Sequence, residues 1–319
     1  MTEITARGGV SAAEDITPAY RRYALGVLLL AYISSYVDRQ IMGVLLEPIR
    51  TEFALTDTQM GFLGGIAFGI FYATLGIPIA FLADRWNRRN IISIAVAVWS
   101  VMTVACAFVT GFWTLALARV GVGIGEAGSS PPSHSMIADL YEEKKRSGAL
   151  AVYALGVYIG IMLGFLVGAY VAQDYGWRWA FVVVGAPGIL IALIVRFTMK
   201  EPPRGHADGH VHEDPGPIEW GAAVKQVKAG FAHLWRDRVS RHVVLGVTLV
   251  SFVGYGGAYW GAAFFLRRHA RAPVEVLAHP GQVGDVGGVQ PDAHARGPGH
   301  AGGVAQQAEA GDVGAGADG

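Results

Sequence analysis

The chain has 319 residues, of which 52% are hydrophobic and only 16% charged, and its formal net charge is zero. A soluble domain of this length would carry more charge and fewer uninterrupted apolar runs, so the composition favours an integral membrane protein. No basic stripe with interleaved aromatics points to nucleic acid as a partner. The single cysteine, Cys106, lies in an apolar segment, which excludes an intrachain disulfide and a cysteine-based metal site.

The apolar residues fall into long stretches. A helix that crosses a bilayer needs about 20 mostly apolar residues. We predict a membrane helix in each stretch of that length: residues 23–46, 58–82, 91–110, 113–138, 147–172, 178–199 and 242–265. The predicted fold class is therefore an all-α membrane protein, with a six-helix bundle followed by one further transmembrane helix.

Polar segments divide the chain into regions. The predicted regions are an N-terminal segment (1–20), the six-helix bundle (21–200), a linker (201–241), the seventh helix (242–266) and a low-complexity tail (267–319). The N-terminal segment lacks the apolar core and cleavage site of a signal peptide, so we expect the first helix to be retained. Three linker histidines (His206, His210 and His212) are interpreted as solvated rather than metal-binding, and we expect no metal and no cofactor.

Lysine and arginine alternate between the two sides of the predicted helices. The segment before the first helix and the connections after the second, fourth and sixth helices are basic, whereas the other connections hold only Arg50 and Arg178. Because basic loops mark the cytoplasmic side, we expect a cell (inner) membrane protein with its N-terminus and linker in the cytoplasm.

The composition changes abruptly near Ala270. The residues after it contain no aromatic and no stretch that could span a bilayer. One interpretation is a natural disordered tail. The other, which the abruptness favours, is a GC-rich coding sequence read out of frame after the seventh helix.

Four ionisable residues lie inside predicted membrane helices: Asp38, Arg39, Arg119 and Glu126. A charge at bilayer depth is costly and is retained mainly where it faces a bundle interior or a water-filled path. Arg119 and Glu126 are two turns apart on one face, whereas Asp38 and Arg39 point about 100° apart. If the first and fourth helices pack together, Arg39 and Arg119 can partner the two carboxylates. A conformational change that alters the distance between arginine and carboxylate would make the carboxylate bind or release a proton, so we predict a proton-coupling site. The alternative is a static structural ion pair that locks the two helices together.

A short basic turn follows the second helix. Residues 83–89 (Ala-Asp-Arg-Trp-Asn-Arg-Arg) are, on charge alone, an ordinary cytoplasmic loop. The run also resembles the signature loop of the major facilitator superfamily, although Ala80 and Asn87 stand where that pattern usually has glycines.

Further motifs resemble the spinster-like branch of that superfamily. They are Arg119–Gly128 in the fourth helix, Ile137–Leu140 followed by Arg146–Ser147, and Gly176–Phe181 followed by Lys200-Glu201-Pro202. The resemblance covers residue 20 to about residue 268.

This resemblance implies a transporter of twelve helices in two halves that alternates access to a central cavity. It links Asp38, Arg39, Arg119 and Glu126 to proton coupling, and it implies a cytoplasmic gating group: Asp84, Arg85, Arg88, Arg89, Asp139 and Arg146. A member should have five more helices after the seventh, and this chain offers none, so the second wall of the cavity is missing.

Several aromatic and polar residues are candidates to line a substrate cavity: Tyr32, Tyr36, His134, Tyr153, Tyr158, Tyr255 and Tyr259. An interfacial belt or core packing is the alternative for about half of them. Pro131 and Pro132 favour a broken or kinked fourth helix beside a cavity.

The fifth helix carries glycines at every fourth residue: Gly156, Gly160, Gly164 and Gly168. Such a ridge allows close helix approach. It could slide against a helix of the other half, in which case the ridge lacks its partner here, or pack tightly within this half.

The function predicted is secondary active transport of a small, amphipathic or lipid-like organic solute, coupled to protons. The partners expected are that solute, protons and the lipid bilayer, and the oligomeric state stays open. One alternative is an inactive truncated fragment of such a transporter. A seven-helix receptor is disfavoured by the cytoplasmic N-terminus, and an intramembrane enzyme by the lack of a catalytic motif, so the chain is not expected to be an enzyme.

Overall fold

The computed structural model describes residues 16–208 and 220–269. Every regular element in these two ranges is a helix. The predictions for the N-terminus up to residue 15, for His210 and His212, and for the tail from residue 270 lie outside the described residues.

The helices follow the predicted apolar stretches closely. They are α1 (Pro18–Val44), α2 (Leu46–Glu52), α3 (Asp57–Gly61), α4 (Ala67–Ala83), α5 (Arg88–Ala105), α6 (Phe112–Ala127), α7 (Ser130–Leu140), α8 (Glu143–Tyr175), α9 (Trp177–Thr198), α10 (Trp220–Arg236) and α11 (Arg238–His269). A π-helical turn (Phe62–Ile66) joins α3 to α4, and short 3₁₀ turns follow α5 and precede α10.

Five of the described helical segments are long and apolar enough to cross a membrane: Asp57–Ala83, Arg88–Phe108, Glu143–Tyr175, Trp177–Thr198 and Arg238–Arg268. The predicted first helix is present as α1, with 27 residues. The polar residues from Ser34 to Gln40 lower the mean hydropathy of α1. For that reason α1 is not among the five segments, although it is long enough to cross a membrane.

The predicted single helix over 113–138 is two helices in the structure. Gly128 and Ser129 form a turn between α6 and α7, and prolines occupy the start of α7. Proline is tolerated in the first turn of a helix, where its missing N–H would have no helical partner. The break expected from Pro131 and Pro132 is therefore present, immediately before them.

Helix α8 packs along α1, and its glycine ridge forms that interface. A Cβ at Gly160 would lie 2.7 Å from the Ile33 carbonyl oxygen, and one at Gly164 would lie 3.1 Å from the Val37 carbonyl oxygen. Of the two alternatives for the ridge, the structure selects packing within this half. The expectation that the ridge lacks its partner is wrong, because α1 fills that role.

Two buried apolar clusters build the bundle. One joins the C-terminal end of α1 to α2, the start of α6 and the start of α9, around Ile41, Leu115 and Phe181. The other joins the N-terminal part of α1 to α5, α7 and the end of α9, around Leu28 and Trp99. Asp38 and Arg39 lie between the residues that α1 contributes to the two clusters, and Arg119 lies between those that α6 contributes.

The linker over 201–241 contains a helix that the sequence analysis did not predict, α10. Only Asp237 separates it from α11, which starts four residues earlier than the predicted seventh helix. Helix α11 docks on α1, where a Cβ at Gly43 would lie 3.1 Å from the Tyr259 carbonyl oxygen. The Tyr259 hydroxyl donates to the Met60 carbonyl oxygen at 2.8 Å.

Candidate functional site

Helices α1, α5 and α6 place a carboxylate and a guanidinium together in the bundle interior. The Arg119 Nη1 atom lies 3.5 Å from Asp38 Oδ1, and both side chains are almost completely buried. The Thr103 hydroxyl, from α5, donates to Asp38 Oδ2. Asp38 therefore has one cationic and one neutral donor, from two different helices.

A second pair joins the same two helices. Arg39 Nε donates to Glu126 Oε2 at 2.5 Å, and the Ser35 hydroxyl donates to that oxygen at 2.9 Å. Arg39 follows Asp38 on α1, and Glu126 lies two turns beyond Arg119 on α6. Each helix thus contributes one carboxylate and one guanidinium, so the four charges cancel.

Three aromatic rings surround the Arg39 guanidinium. The Arg39 Cζ atom lies 5.0 Å from the ring centroid of Tyr36, 5.3 Å from that of Phe68 and 4.5 Å from that of Tyr72. Aromatic faces attract a cation that has lost part of its water shell. The rings therefore add to the contacts that hold the Arg39 guanidinium beside its carboxylate partner.

Two polar atoms of this cluster have unused hydrogen-bonding capacity. Glu126 Oε1 and Arg119 Nε are buried, and neither has a hydrogen-bond partner among the described residues. A buried polar group without a partner costs free energy, so these two atoms distinguish the cluster from an ion pair in which every polar atom is satisfied.

Two residues of the expected gating group, Arg88 and Asp139, pair directly at the N-terminus of α5. The fully buried Arg88 guanidinium donates to Glu201 Oε1 at 2.7 Å, to Ser135 Oγ at 2.8 Å and to the Pro202 carbonyl oxygen at 2.7 Å. It also forms an ion pair with Asp139 of α7. We call Arg88, Ser135, Asp139, Glu201 and Pro202 the Arg88 cluster. It ties α5, α7 and the segment after α9 together.

Other members of the expected group lie around this cluster. The Arg89 backbone N–H donates to Glu201 Oε2 at 2.9 Å, and Arg146 forms an ion pair with Asp208 at 2.8 Å. Arg85 Nη1 donates to the Phe81 carbonyl oxygen at 3.3 Å. Asp84 is exposed at the end of α4.

The candidate cavity residues do not form one group. The Tyr32 ring stacks on Tyr153 with centroids 4.3 Å apart, Tyr36 meets Tyr32 edge-on at 5.1 Å, and His134 meets Tyr153 at 5.1 Å. By contrast, Tyr158 is 72% exposed and lies elsewhere on α8.

Two candidates lie on the last helix. Tyr255 is 59% exposed on α11, and Tyr259 is half-buried against Met60 and the π-helical turn that precedes α4. The four residues Tyr32, Tyr36, His134 and Tyr153 are therefore the members that lie together, on α1, α7 and α8.

Several site residues were not predicted from the sequence. Ser35 and Thr103 donate to the buried carboxylates, and Phe68 and Tyr72 hold Arg39. A serine, a threonine or an aromatic residue in an apolar helix is common, so its type carries no signal without its neighbours. For Ser35 one cue existed, since it lies one turn before Arg39 on the same helix.

Comparison with known proteins places this arrangement in a family. Residues 28–272 match the model described as Major Facilitator Superfamily. An "MFS-type efflux pump" of Mycolicibacterium smegmatis is 34% identical over 253 residues, which are 79% of this chain and 56% of that protein. "Protein spinster homolog 1" of Homo sapiens is 31% identical over 271 residues, which are 83% of this chain and 49% of that protein.

A solved structure is similar as well. It is a bacterial homologue of the human lysosomal transporter Spinster in an inward-facing, unoccupied conformation. The TM-score is 0.66 at 39% identity, and the match covers 79% of this chain and 57% of that chain. The chain thus spans about half the length of the curated relatives it matches. These findings confirm the resemblance drawn from the motifs.

Proposed function

Because this chain belongs to the major facilitator superfamily and is spinster-like, we propose that it acts in proton-coupled secondary transport of an amphipathic organic solute by alternating access. The observation that carries the proposal is the pair of buried arginine–carboxylate contacts between α1 and α6. The relatives are transporters, which decides against the receptor and confirms that the chain is not an enzyme.

The cluster suggests how a proton could be coupled to movement. With both carboxylates ionised, the two pairs hold α1 and α6 together. A proton on Glu126 Oε1 removes one negative charge and weakens the attraction of Glu126 for Arg39. The Tyr36, Phe68 and Tyr72 rings then retain Arg39, so α6 can move relative to α1 without leaving a bare cation in the apolar interior.

The solute class rests on the aromatic group formed by Tyr32, Tyr36, His134 and Tyr153, beside the Arg39 pair. Aromatic faces next to a charged group suit a molecule with an apolar body and a polar head. The basic residues at the Arg88 end of the bundle support the orientation proposed here, with that end in the cytoplasm and the protein in the cell (inner) membrane. In that orientation the Arg88 cluster is a cytoplasmic gate.

The half-length match favours a second candidate, in which the chain is a fragment without transport activity of its own. Flux measurements separate the two. The chain would be reconstituted in proteoliposomes, and accumulation of a fluorescent lysophospholipid would be followed under an imposed pH gradient. Accumulation above that of empty vesicles supports the transporter, and a folded helical chain without any flux supports the fragment.

Substitution of the buried carboxylates tests proton coupling. We expect Glu126→Gln and Asp38→Asn to reduce pH-driven accumulation to the level of vesicles without a gradient, because neither amide can bind the proton. Glu52→Gln is the matched control, since that carboxylate is half exposed and lies outside the cluster. Undiminished pH-driven accumulation in both variants would overturn the coupling assignment.

A further inference from the structure

Helix α10 segregates its apolar and basic residues onto different sides. At about 100° per residue, the side chains of one face fall within an arc of about 100°. These residues are Trp220, Val224, Val227, Phe231, Leu234 and Trp235. Lys225, Lys228, His233 and Arg236 lie beside or opposite that arc, and the helix contains no acidic residue.

Most of the apolar face of α10 is uncovered in the described part of the chain, and of its residues Val227 is partly buried. Phe231 is 64% exposed, Trp235 61% and Trp220 56%. The helix packs chiefly on α11, to which it is joined through Asp237. Three large exposed aromatic side chains on one helix need a partner, because exposed apolar patches of this kind mark interaction sites.

The position of α10 relative to a membrane helix limits what that partner can be. Helix α11 is a candidate membrane span from its first residue, Arg238. At its other end, Arg267 pairs with Asp57, at the start of the span that runs towards Ala83. Helix α10 therefore lies where α11 leaves the hydrocarbon, on the side of the Arg88 cluster.

Charge and aromatic content favour lipid at this position. Tryptophan is enriched where hydrocarbon meets headgroups, and α10 carries one tryptophan near each end. Basic side chains that border an apolar face attract anionic headgroups, and long lysine side chains can extend from the buried face to reach them. A protein partner would bury charged flanks poorly, whereas an anionic bilayer surface complements both sides of the helix.

We propose that α10 is an interfacial helix that lies in the plane of an anionic phospholipid surface. Its apolar face enters the boundary between headgroups and acyl chains, and its basic residues contact the headgroup phosphates. The helix anchors the connection between α9 and α11 to one leaflet. This inference rests on α10 and α11 alone and stands or falls separately from proton coupling.

Nitroxide labels test the depth of α10 in the complete chain. The buried Cys106 would be replaced by alanine, and single cysteines introduced by Val224→Cys, Val227→Cys and Phe231→Cys on the apolar face. Ala222→Cys and Ala229→Cys, on the opposite face, are the controls. In nanodiscs with phosphatidylglycerol, we expect labels on the apolar face to collide with oxygen and labels on the opposite face to collide with a water-soluble nickel chelate.

The basic residues are tested by a combined variant, Lys225→Gln, Lys228→Gln and Arg236→Gln. Each basic side chain near an anionic surface strengthens binding roughly fivefold at low salt, so the docked-to-undocked ratio should fall on the order of 100-fold. A pair on the same side of the bundle, Lys144→Gln with Lys145→Gln, is the matched control and should leave the ratio unchanged.

Three outcomes would contradict the proposal. Labels on the apolar face that are shielded from both oxygen and nickel would show that protein, not lipid, covers the face. Labels that are open to nickel on all sides, with or without phosphatidylglycerol, would show that α10 stays in water. The difference in oxygen and nickel collision between the two faces should weaken in pure phosphatidylcholine. If that difference stayed the same, it would contradict the requirement for anionic lipid.

Discussion

Single side chains in the buried cluster differ in how they are held. Arg39 has three aromatic rings around it and an exposed fraction of 14%, whereas its partner Glu126 is fully buried. Arg119 is 2% exposed and has one ring, Phe68, beside it. Arg39 is therefore the least enclosed member of the cluster, and the Asp38–Arg119 pair is enclosed on both sides.

The pairing can be measured by double-mutant cycles. We expect Arg39→Gln or Glu126→Gln alone to destabilise the chain by about 3–5 kcal/mol, because each leaves a buried charge without its partner. The double variant should lose clearly less than the sum, with a coupling energy of about 1–3 kcal/mol. Thermal unfolding in detergent, followed by circular dichroism, gives these values.

The control cycle combines Arg39→Gln with Asp38→Asn. These residues are neighbours in sequence, but Asp38 has Arg119 as its ion-pair partner. A coupling energy in this cycle as large as that between Arg39 and Glu126 would contradict the pairing.

A pH effect is expected at an exposed carboxylate outside the bundle interior. Hydrogen bonds from Arg178 and Trp177 hold the pKa of Glu52 below its ordinary 4.5. A lowered pKa in the folded state adds stability above the ordinary pKa, and that stability is lost as the pH falls through the folded value. Arg178→Gln should therefore cost at most about 1 kcal/mol at pH 7, since exposed pairs are screened.

Unfolding midpoints at several pH values check this expectation. The difference between the wild-type chain and Arg178→Gln should shrink once the pH is below the folded pKa of Glu52, because the protonated carboxyl no longer attracts Arg178. A difference that is constant from pH 7 down through that range would show that Arg178 contributes by packing on Trp177 instead.

Helix pairs in this bundle are specified by small residues as much as by large ones. The α1–α8 interface brings backbone against backbone, so the glycines of α8 set the distance between the helices. The buried ion pairs reach from α1 to α6, while α9 and α11 also pack on α1. Helix α1 is thus held by close packing against α8 and by buried charge towards α6.

A one-atom change tests the glycine ridge. At Gly160, a Cβ would lie 2.5 Å from the Tyr36 Cβ and 2.7 Å from the Ile33 carbonyl oxygen. Gly160→Ala should destabilise the chain by about 1–3 kcal/mol through overpacking, despite the higher helix propensity of alanine. Gly148→Ala is the control, since nothing lies within 4 Å of a Cβ there. Equal unfolding midpoints for the two variants would show that the glycine ridge of α8 does not pack tightly against α1.

At the scale of the whole molecule, the described part of the chain is a bundle to which one further span is attached along α1. Much of α11 is exposed, with Phe252 at 78%. Its attachment depends on a few contacts near its C-terminal end, with Gly43, Met60 and Asp57. Local opening is therefore expected to begin in α11, where few apolar contacts would be lost.

The docking of α11 can be weakened at one position. A Cβ at Gly64 would overlap the Tyr259 ring, whereas nothing lies within 4 Å of a Cβ at the neighbouring Gly65. Gly64→Ala should displace the ring, break the hydrogen bond to Met60 and raise hydrogen exchange across residues 255–265. Gly65→Ala should leave exchange unchanged. Faster exchange in neither variant, or in both equally, would contradict this account of the contact.

The sequence by itself determined the class of the protein, the approximate limits of its helices and the four buried charges. These features depend on local composition and on the high cost of charge at bilayer depth, so they are visible without neighbours. The motifs around Arg88 and Arg119 were likewise sufficient to indicate the family.

Only the tertiary structure decided which groups meet. It paired Asp38 with Arg119 and Arg39 with Glu126, gave the glycine ridge α1 as its partner, and placed Phe68 and Tyr72 around Arg39. The helix α10 in the linker was also missed, because its apolar residues recur with helical spacing inside a polar segment and never form a run. Contacts between helices depend on rotation and distance, and residue type and spacing along one helix do not specify either.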